Sequence, residues 1–269
     1  MRKEKSMFID DVKRIARIRK DERCRAIMGI LQEKDIPFYV QRLLEGEHWV
    51  ENIVISFAPS NRRLVIGAHY DNLEGSSGAN DNASGVSVLI RLAQYISEIG
   101  AENVEIVLFD REEYGDHGSS AYIKAIGKDS IDIMINLDMC GYGDAITVLT
   151  KGNMGNSLLS RLLTQEMIDE YRILTIDRLP TRFGDDDTFD SFGIPNIAIT
   201  TMPRNEAILY RDFVQKVFQR IEHAPEEVHA VQSFTYSKTM HNGELDNIEA
   251  VSEGTLTTVY SYLMHGIFD

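Results

Sequence analysis

A chain of 269 residues with 43% hydrophobic and 26% charged residues has the composition of a globular domain, which excludes a disordered or fibrous protein. Its formal charge of −14 excludes a nucleic-acid partner, because binding a phosphate backbone requires clustered lysines and arginines. Cys24 and Cys140 are too few for a disulfide framework, and no segment has the apolar length of a signal peptide or a membrane span, so we expect a cytoplasmic protein without membrane contact.

The predicted elements begin with an amphipathic helix inside residues 1–35. Apolar side chains recur at helical intervals from Phe8 to Leu31, and Pro37 ends the element. Next, "PFYVQRLL" and "WVENIVISFA" are rich in β-branched and aromatic residues, and Gly46 between them predicts a hairpin. The buried strand "RLVIGAH" follows.

Strands and helices then alternate to the end of the chain. A helix starts in "NASGVSVLIRLAQYISEIG" and ends at Gly100. The later strands are "VEIVLFD", "IDIMINLDM", "AITVL", "YRILTI" and "IPNIAIT"; the later helices are "SSAYIKAIG" and those near Ser157 to Tyr171, Glu206 to Ile221 and from Ile248; "PTRFGDDDTFDSFG" is predicted as a loop. Apolar strands that alternate with helices predict a single α/β domain over residues 1–269, with a mostly parallel sheet covered by helices on both faces.

Residues 203–238, which precede His241, contain an apparent extra helix and a charged loop. We interpret this segment as a helical surface insertion. A lid or a dimer contact is the alternative, so a homo-oligomer is compatible with the sequence.

Ligands of open α/β sheets bind beyond the carboxyl ends of the strands, and this rule selects a set of polar residues. His69 and Asp71 end one strand, Asp110, Glu112 and Glu113 follow another, Asp138 ends a third, and "DDD" precedes the strand "IPNIAIT". If the strands are neighbours, five of these side chains converge with Asp81 on one crevice.

His69 is a candidate imidazole ligand, and Asp71, two positions along an extended strand, points to the same side and could orient it. Asp81 lies in "GANDNASG", where small residues let the chain approach a cluster closely. We favour a bridging carboxylate, since one anion shared by two dications offsets their repulsion. Helix capping is the alternative role for the acids and amides of this loop, above all for Asn80 and Asn82.

Glu112 and Glu113 are adjacent acids, which on most helices form a solvated face. Beside metals they could divide their roles, one binding the metal and the other facing the water. Asp138 follows a strand too apolar for an unpaired charge. His241 in "HNGELD" would complete the set, with Asp246 as a candidate partner. Hard oxygen and imidazole ligands suit two zinc ions, which activate water for hydrolysis of an amide or ester.

The motifs "AHYD", "GANDNASGV", "DREEYGDHGS", "NLDM" and the later histidine resemble, in order, those of the M28 family of dinuclear zinc aminopeptidases, from about Leu64 to Asp246. The resemblance implies an α/β domain with a central mixed sheet and two Zn²⁺ per chain, for which Co²⁺ or Mn²⁺ could substitute. It implies that His69 and Asp138 bind one zinc, Glu113 and His241 the other, and Asp81 both. Glu112 would be the general base, acting on a water that bridges the metals, and Asp71 would orient His69.

The resemblance also implies the substrate, a peptide with a free N-terminus that loses its first residue. The sequence departs from the family in the substrate loop, where Asp186 stands in place of a common histidine, and near the last ligand, where Asp246 lies one place further along. An aromatic hydroxyl that assists the oxyanion in some relatives has no clear equivalent near "TRFGDD", and Arg182 is a substitute candidate. These departures concern substrate preference more than metal binding.

Two alternative functions remain open from the sequence. A glutaminyl-cyclase-like acyltransferase would have a related ligand set but one zinc ion. A non-catalytic homologue would keep the fold for binding, although it would have no need of Glu112.

Overall fold

The computed structural model describes residues 8–16, 19–58, 62–115, 117–150, 156–177 and 184–269. Within them, eight strands form one sheet. The strands are β1 Tyr39–Glu45, β2 His48–Phe57, β3 Arg63–His69, β4 Val104–Phe109, β5 Ile131–Leu137, β6 Ala145–Thr150, β7 Leu174–Asp177 and β8 Asn196–Met202.

The sheet has the order β1-β2-β4-β3-β5-β8-β6-β7. The pairs β3–β4, β3–β5, β5–β8 and β6–β7 are parallel, whereas β1–β2, β2–β4 and β6–β8 are antiparallel. The prediction of a mixed, mostly parallel sheet is therefore confirmed. The predicted hairpin around Gly46 is present as the antiparallel pair β1–β2.

Ten α-helices accompany the sheet in the described residues. They are α1 Ile9–Ile15, α2 Lys20–Glu33, α3 Gly85–Ile99, α4 His117–Ile126, α5 Ser157–Leu162, α6 Gln165–Tyr171, α7 Asp185–Ser191, α8 Arg204–Gln219, α9 Pro225–Gln232 and α10 Glu253–Phe268. Gly100 ends α3 in the left-handed conformation, with φ 65°, as a C-terminal glycine cap does.

Three predicted elements differ from the structure. The first predicted helix is two helices, because the chain turns to an extended conformation at Ala16. The helix predicted near Ser157 to Tyr171 is also two, because Thr164 caps a new helix by accepting a hydrogen bond from Met167 N at 3.3 Å. The predicted loop at residues 180–193 contains α7, and its residues 180–183 lie outside the described ranges.

Alternate residues of the central strands face two different hydrophobic clusters. Ile66, Ile106 and Ile135 belong to the larger cluster, which includes side chains of α1, α2, α3 and α10. Val65 and Val107 belong to the other, with side chains of α4 and α7. Helices therefore cover both faces of the sheet, as predicted, and burial of this apolar surface is the main stabilising term.

Parallel pairing brings the functional motifs to one edge of the sheet. His69 at the end of β3 pairs with Phe109 at the end of β4, so the residues after Phe109 emerge beside His69. Gly67 pairs with Asn136 of β5, which brings the segment after Leu137 to the same edge. The carboxyl ends of β3, β4 and β5 thus lie side by side.

The segment predicted as a helical insertion contains α8 and α9, and α8 packs against β6 and β7. No helix among the described residues has both the length and the apolar character needed to cross a bilayer.

Candidate metal centre

His69 lies at the centre of a cluster of carboxylates at the carboxyl edge of the sheet. Its Nε2 is 3.2 Å from Asp81 Oδ1, 3.3 Å from Asp138 Oδ1 and 3.9 Å from Glu112 Oε2. The imidazole side chain is only 2% exposed. Burial alone would lower the pKa of His69, but the surrounding carboxylates, Glu112 foremost, raise it well above its usual value.

Asp81 lies between the two histidines of the predicted set. Its Oδ1 faces His69, and its Oδ2 is 3.9 Å from His241 Nε2. His241 Nε2 is in turn 3.3 Å from Glu113 Oε2. Each oxygen of one carboxylate therefore faces a different half of the cluster, which is the arrangement expected of a bridging ligand.

The cluster is buried on the sheet side and open on the other. The side chain of Glu113 is 4% exposed, whereas that of Asp138 is 33% exposed and that of His241 is 55% exposed. A small molecule can therefore approach the cluster from the side of Asp138 and His241 while the opposite side is closed to water.

The two asparagines that flank Asp81 hold its turn in place. Asn80 Oδ1 accepts from Gly141 N at 2.9 Å, and Asn82 Nδ2 donates to Leu137 O at 2.8 Å. Asn82 Oδ1 also accepts from Gly85 N at 3.0 Å, at the start of α3. The asparagines thus brace "GANDNASG" by hydrogen bonds, and the Asp81 carboxylate faces the histidines.

Glu112 and Asp138 face the same ring nitrogen of His69, Nε2, whereas Asp71 faces Nδ1. Burial raises the pKa of Glu112 well above its usual value, and the charges of Asp138 and Asp185 act in the same direction. Asp71 accepts from Glu112 N at 3.1 Å and from Glu113 N at 3.3 Å. The Asp71 carboxylate therefore fixes the backbone that carries both glutamates.

Asp71 also faces His69, the residue that it is predicted to orient. Asp71 Oδ1 is 3.6 Å from His69 Nδ1, beyond a hydrogen bond, and His69 Nδ1 has no hydrogen-bond partner among the described residues. The buried contact places the carboxylate where a small ring movement would let it accept the N–H. Its role in orienting His69 stays a prediction.

The donor atoms suit divalent cations in position and in chemistry. One atom each from His69, Glu112 and Asp138 lie within 4.8 Å of one another, and so do atoms of His69, Asp81 and Glu113. All are imidazole nitrogens or carboxylate oxygens, which zinc accepts as ligands. Crowded buried carboxylates repel each other, so cations would remove an electrostatic penalty that the folded chain otherwise carries.

Asp246 has a different role from the predicted one. Its buried carboxylate accepts from Gly78 N and Asn80 N at 3.0 Å each and from Asp81 N at 3.3 Å, and Ser76 Oγ donates to it as well. It therefore holds the loop before Asp81, and no recorded contact joins it to His241 among the described residues. A long-range acceptor of this kind has no local sequence signal.

This role predicts that Asp246→Ala destabilises the protein by about 3 kcal/mol, because several buried donors lose their acceptor. Chemical unfolding of the metal-free protein measures the change. Glu244→Ala, an exposed change in the same segment, is the control and should stay within about 0.5 kcal/mol of wild type. An Asp246→Ala protein as stable as wild type would contradict the role.

Asp110, predicted at the same strand end as the glutamates, turns away from the cluster. Its Oδ2 accepts from Lys20 Nζ at 2.7 Å and from Glu51 N at 3.0 Å. Arg182, the candidate for assisting the oxyanion, lies outside the described residues.

Sequence reasoning missed Tyr236, whose hydroxyl is 2.8 Å from Thr200 Oγ1 and whose pKa is raised by burial and by the charge of Asp138. A tyrosine 36 residues from its partner gives no local signal.

Residues 52–266 match the family model of peptidase family M28. The chain belongs to this family. Residues 1–51, which include α1, α2 and β1, precede the matched region. All five predicted ligands, together with Asp71 and Glu112, lie inside it.

The chain is 32% identical over 99 residues to aminopeptidase YwaD of Bacillus subtilis. That alignment covers 34% of this chain and 22% of the Bacillus protein, so the chain matches less than a quarter of that relative's length.

Two solved structures share the fold. The structure of BSAP, a zinc aminopeptidase from Bacillus subtilis, superimposes with a TM-score of 0.60 at 21% identity. The superposition covers 83% of this chain and 50% of the BSAP chain. Porphyromonas gingivalis glutaminyl cyclase superimposes with a TM-score of 0.67 at 18% identity, over 97% of this chain and 96% of the cyclase chain. At these identities the likeness establishes a common fold.

Proposed function

We propose that this M28 protein is a zinc-dependent aminopeptidase that removes the N-terminal residue of peptides. The observation that carries the proposal is the position of Asp81 between His69 and His241, each with a further carboxylate beside it. His69 and Asp138 would hold one Zn²⁺, Glu113 and His241 would hold the second, and Asp81 would contact both. Co²⁺ or Mn²⁺ could replace zinc, because the donors are hard oxygens and imidazoles.

Divalent cations held by these residues would supply Lewis-acid chemistry, lowering the pKa of water and polarising the scissile carbonyl group. Glu112 takes the role of general base. Its carboxylate lies beside His69 and Asp138, and burial raises its pKa well above its usual value. It would accept a proton from the attacking water and return it to the leaving amine. Asp71 holds Glu112 in place through the backbone N–H.

The exopeptidase part of the proposal is supported by the relatives. The chain aligns with aminopeptidase YwaD of Bacillus subtilis and shares its fold with the zinc aminopeptidase BSAP. Asp138 and His241 lie on the open side of the cluster, from which a peptide would reach Glu112. The proposed cleavage is therefore removal of the N-terminal residue.

A glutaminyl-cyclase-like acyltransferase with one zinc is the second candidate. The observation in its favour is the similarity to the Porphyromonas gingivalis enzyme over nearly the full length of both chains. A non-catalytic binding homologue is the third, and Glu112 argues against it, because the proposed set of five ligands does not include this acid. Two histidine–carboxylate pairs, His69–Asp138 and His241–Glu113, flank Asp81, and two such pairs favour the aminopeptidase with two zinc ions over both alternatives.

A substrate screen separates the three candidates. Aminoacyl chromogenic substrates and dipeptides are incubated with the zinc-loaded protein alongside a peptide that begins with glutamine. We expect release of free N-terminal amino acids. Formation of pyroglutamate with release of ammonia, without hydrolysis of the other substrates, would replace the proposal by the cyclase, and inertness toward all substrates would support the binding homologue.

A further inference from the structure

A fully buried arginine from outside the family match contacts the loop between two predicted ligands. Arg23 lies in α2, is 0% exposed and precedes residue 52, where the family match begins. Its Nε donates to Tyr70 O at 2.6 Å, and its Nη1 donates to Ser77 O and to Gly78 O at 3.0 Å each. Three backbone carbonyls of one loop thus share one guanidinium group.

These carbonyls belong to the two ends of the loop. Tyr70 directly follows His69, whereas Ser77 and Gly78 come just before the turn that carries Asp81. A guanidinium group is planar and rigid, so it fixes the separation and the direction of the groups that it joins. Arg23 therefore sets the position of His69 relative to Asp81.

The approach of Arg23 to the loop depends on a glycine. Gly78 has φ +57°, and a Cβ atom there would lie 2.2 Å from Arg23 Nη1. Only a residue without a side chain admits both this backbone conformation and the close guanidinium group. Gly78, the last residue of "GSSG", thus serves two purposes. It allows the sharp turn before Asp81, and it leaves room for the Arg23 guanidinium group.

The charge of Arg23 suits its surroundings. Burial lowers the pKa of Arg23 to about 10, which leaves the guanidinium cationic at neutral pH. Its charge interacts with the buried carboxylates of Asp71, Asp81 and Asp246. Asp246 holds N–H groups of the same loop, and Arg23 holds its carbonyl groups, so the loop backbone is fixed from both sides.

We propose that Arg23 is a positioning residue of the metal centre, through which the N-terminal helix α2 holds the His69–Asp81 loop in the conformation that binds metal. The inference rests on the proposed zinc-dependent function. It assigns residues before the family match a direct part in assembling the site. An N-terminal segment that only covered the hydrophobic core would affect folding without changing the metal affinity of the folded protein.

Arg23→Lys tests the proposal, because lysine keeps the charge but has no planar fork to join the two ends of the loop. Arg25→Lys, the same change at an exposed position of α2, is the matched control. Zinc affinity of the folded proteins is measured by competition with a chromogenic chelator, and the visible spectrum of the Co²⁺-loaded proteins is recorded. We expect Arg23→Lys to bind zinc about 10- to 100-fold more weakly and to show an altered Co²⁺ spectrum, whereas Arg25→Lys matches wild type.

The outcomes separate this inference from the proposed function. Unchanged zinc affinity and Co²⁺ spectrum in folded Arg23→Lys, in a background where wild type binds two zinc ions, would overturn the positioning role alone. A wild-type protein that binds no zinc would overturn both. Should Arg23→Lys not fold, Arg23→Gln, which keeps N–H donors at a smaller size, is measured in the same way, and the same results decide.

Discussion

Glu112→Gln is expected to bind zinc as wild type does and to lose nearly all hydrolysis. Glutamine is almost the same size as glutamate but cannot accept a proton from water at neutral pH. A general base typically contributes about 10²- to 10⁴-fold to the rate, so kcat should fall by about 10³-fold. Steady-state kinetics on the best substrate of the screen, with zinc content measured on the same sample, provides the check.

The same variant has a second expected property in the metal-free protein. Because burial raises the pKa of Glu112, the folded chain holds the ionised carboxylate less favourably than the unfolded chain does. This penalty is present above the raised pKa and disappears as the pH falls and the group is protonated. Neutral glutamine avoids it, so metal-free Glu112→Gln should be at least as stable as wild type at pH 8.

Glu102→Gln is the matched control for both measurements. It makes the same change at an exposed position just before β4, at the opposite end of the strand from the site. It should leave kcat, zinc content and stability unchanged. Peptidase activity in Glu112→Gln equal to that of wild type would refute the assignment of Glu112 as the base.

Asp81→Asn is expected to abolish binding of at least one of two zinc ions. Asp81 is the one carboxylate that faces both His69 and His241 among the described residues, so its charge supports both halves of the centre. An amide keeps one weak oxygen ligand and loses the charge that offsets repulsion between two cations. Zinc content of the dialysed protein should fall from two ions per chain to one or fewer, and activity should fall by at least about 10³-fold.

Asp129→Asn serves as the control for this variant. It changes the same functional group at an exposed position just before β5, at the opposite end of the sheet. It should retain two zinc ions and full activity. An Asp81→Asn protein that still holds two zinc ions with wild-type affinity would show that Asp81 is not the bridging ligand.

Much of the fold follows from local patterns. The alternation of apolar strands and helices predicts the layered architecture, and Gly100 predicts the end of α3. The errors have local causes. Three consecutive aspartates are poor helix formers, yet in α7 they occupy the first turn, where the helix dipole favours negative charge. Thr164 starts α6 with a capping hydrogen bond inside an otherwise continuous apolar pattern.

The candidate site is predictable wherever strand ends carry its residues. His69, Glu112 and Asp138 come together because β3, β4 and β5 are parallel neighbours. The bracing residues are different. Arg23 contacts the His69–Asp81 loop at Tyr70, which is 47 residues away in sequence. Asp246 contacts the same loop at Gly78, which is 168 residues away. Such contacts depend on how distant elements pack, which periodicity and spacing do not specify.

The proposal of a dinuclear zinc aminopeptidase is tested most directly by zinc titration of the metal-free protein. Hydrolysis of an aminoacyl substrate is followed in the same samples. The account predicts two bound zinc ions per chain at saturation and full hydrolytic activity only as the second site fills. Saturation at one zinc ion per chain, with no hydrolysis at any zinc concentration and conversion of N-terminal glutamine to pyroglutamate, would contradict it.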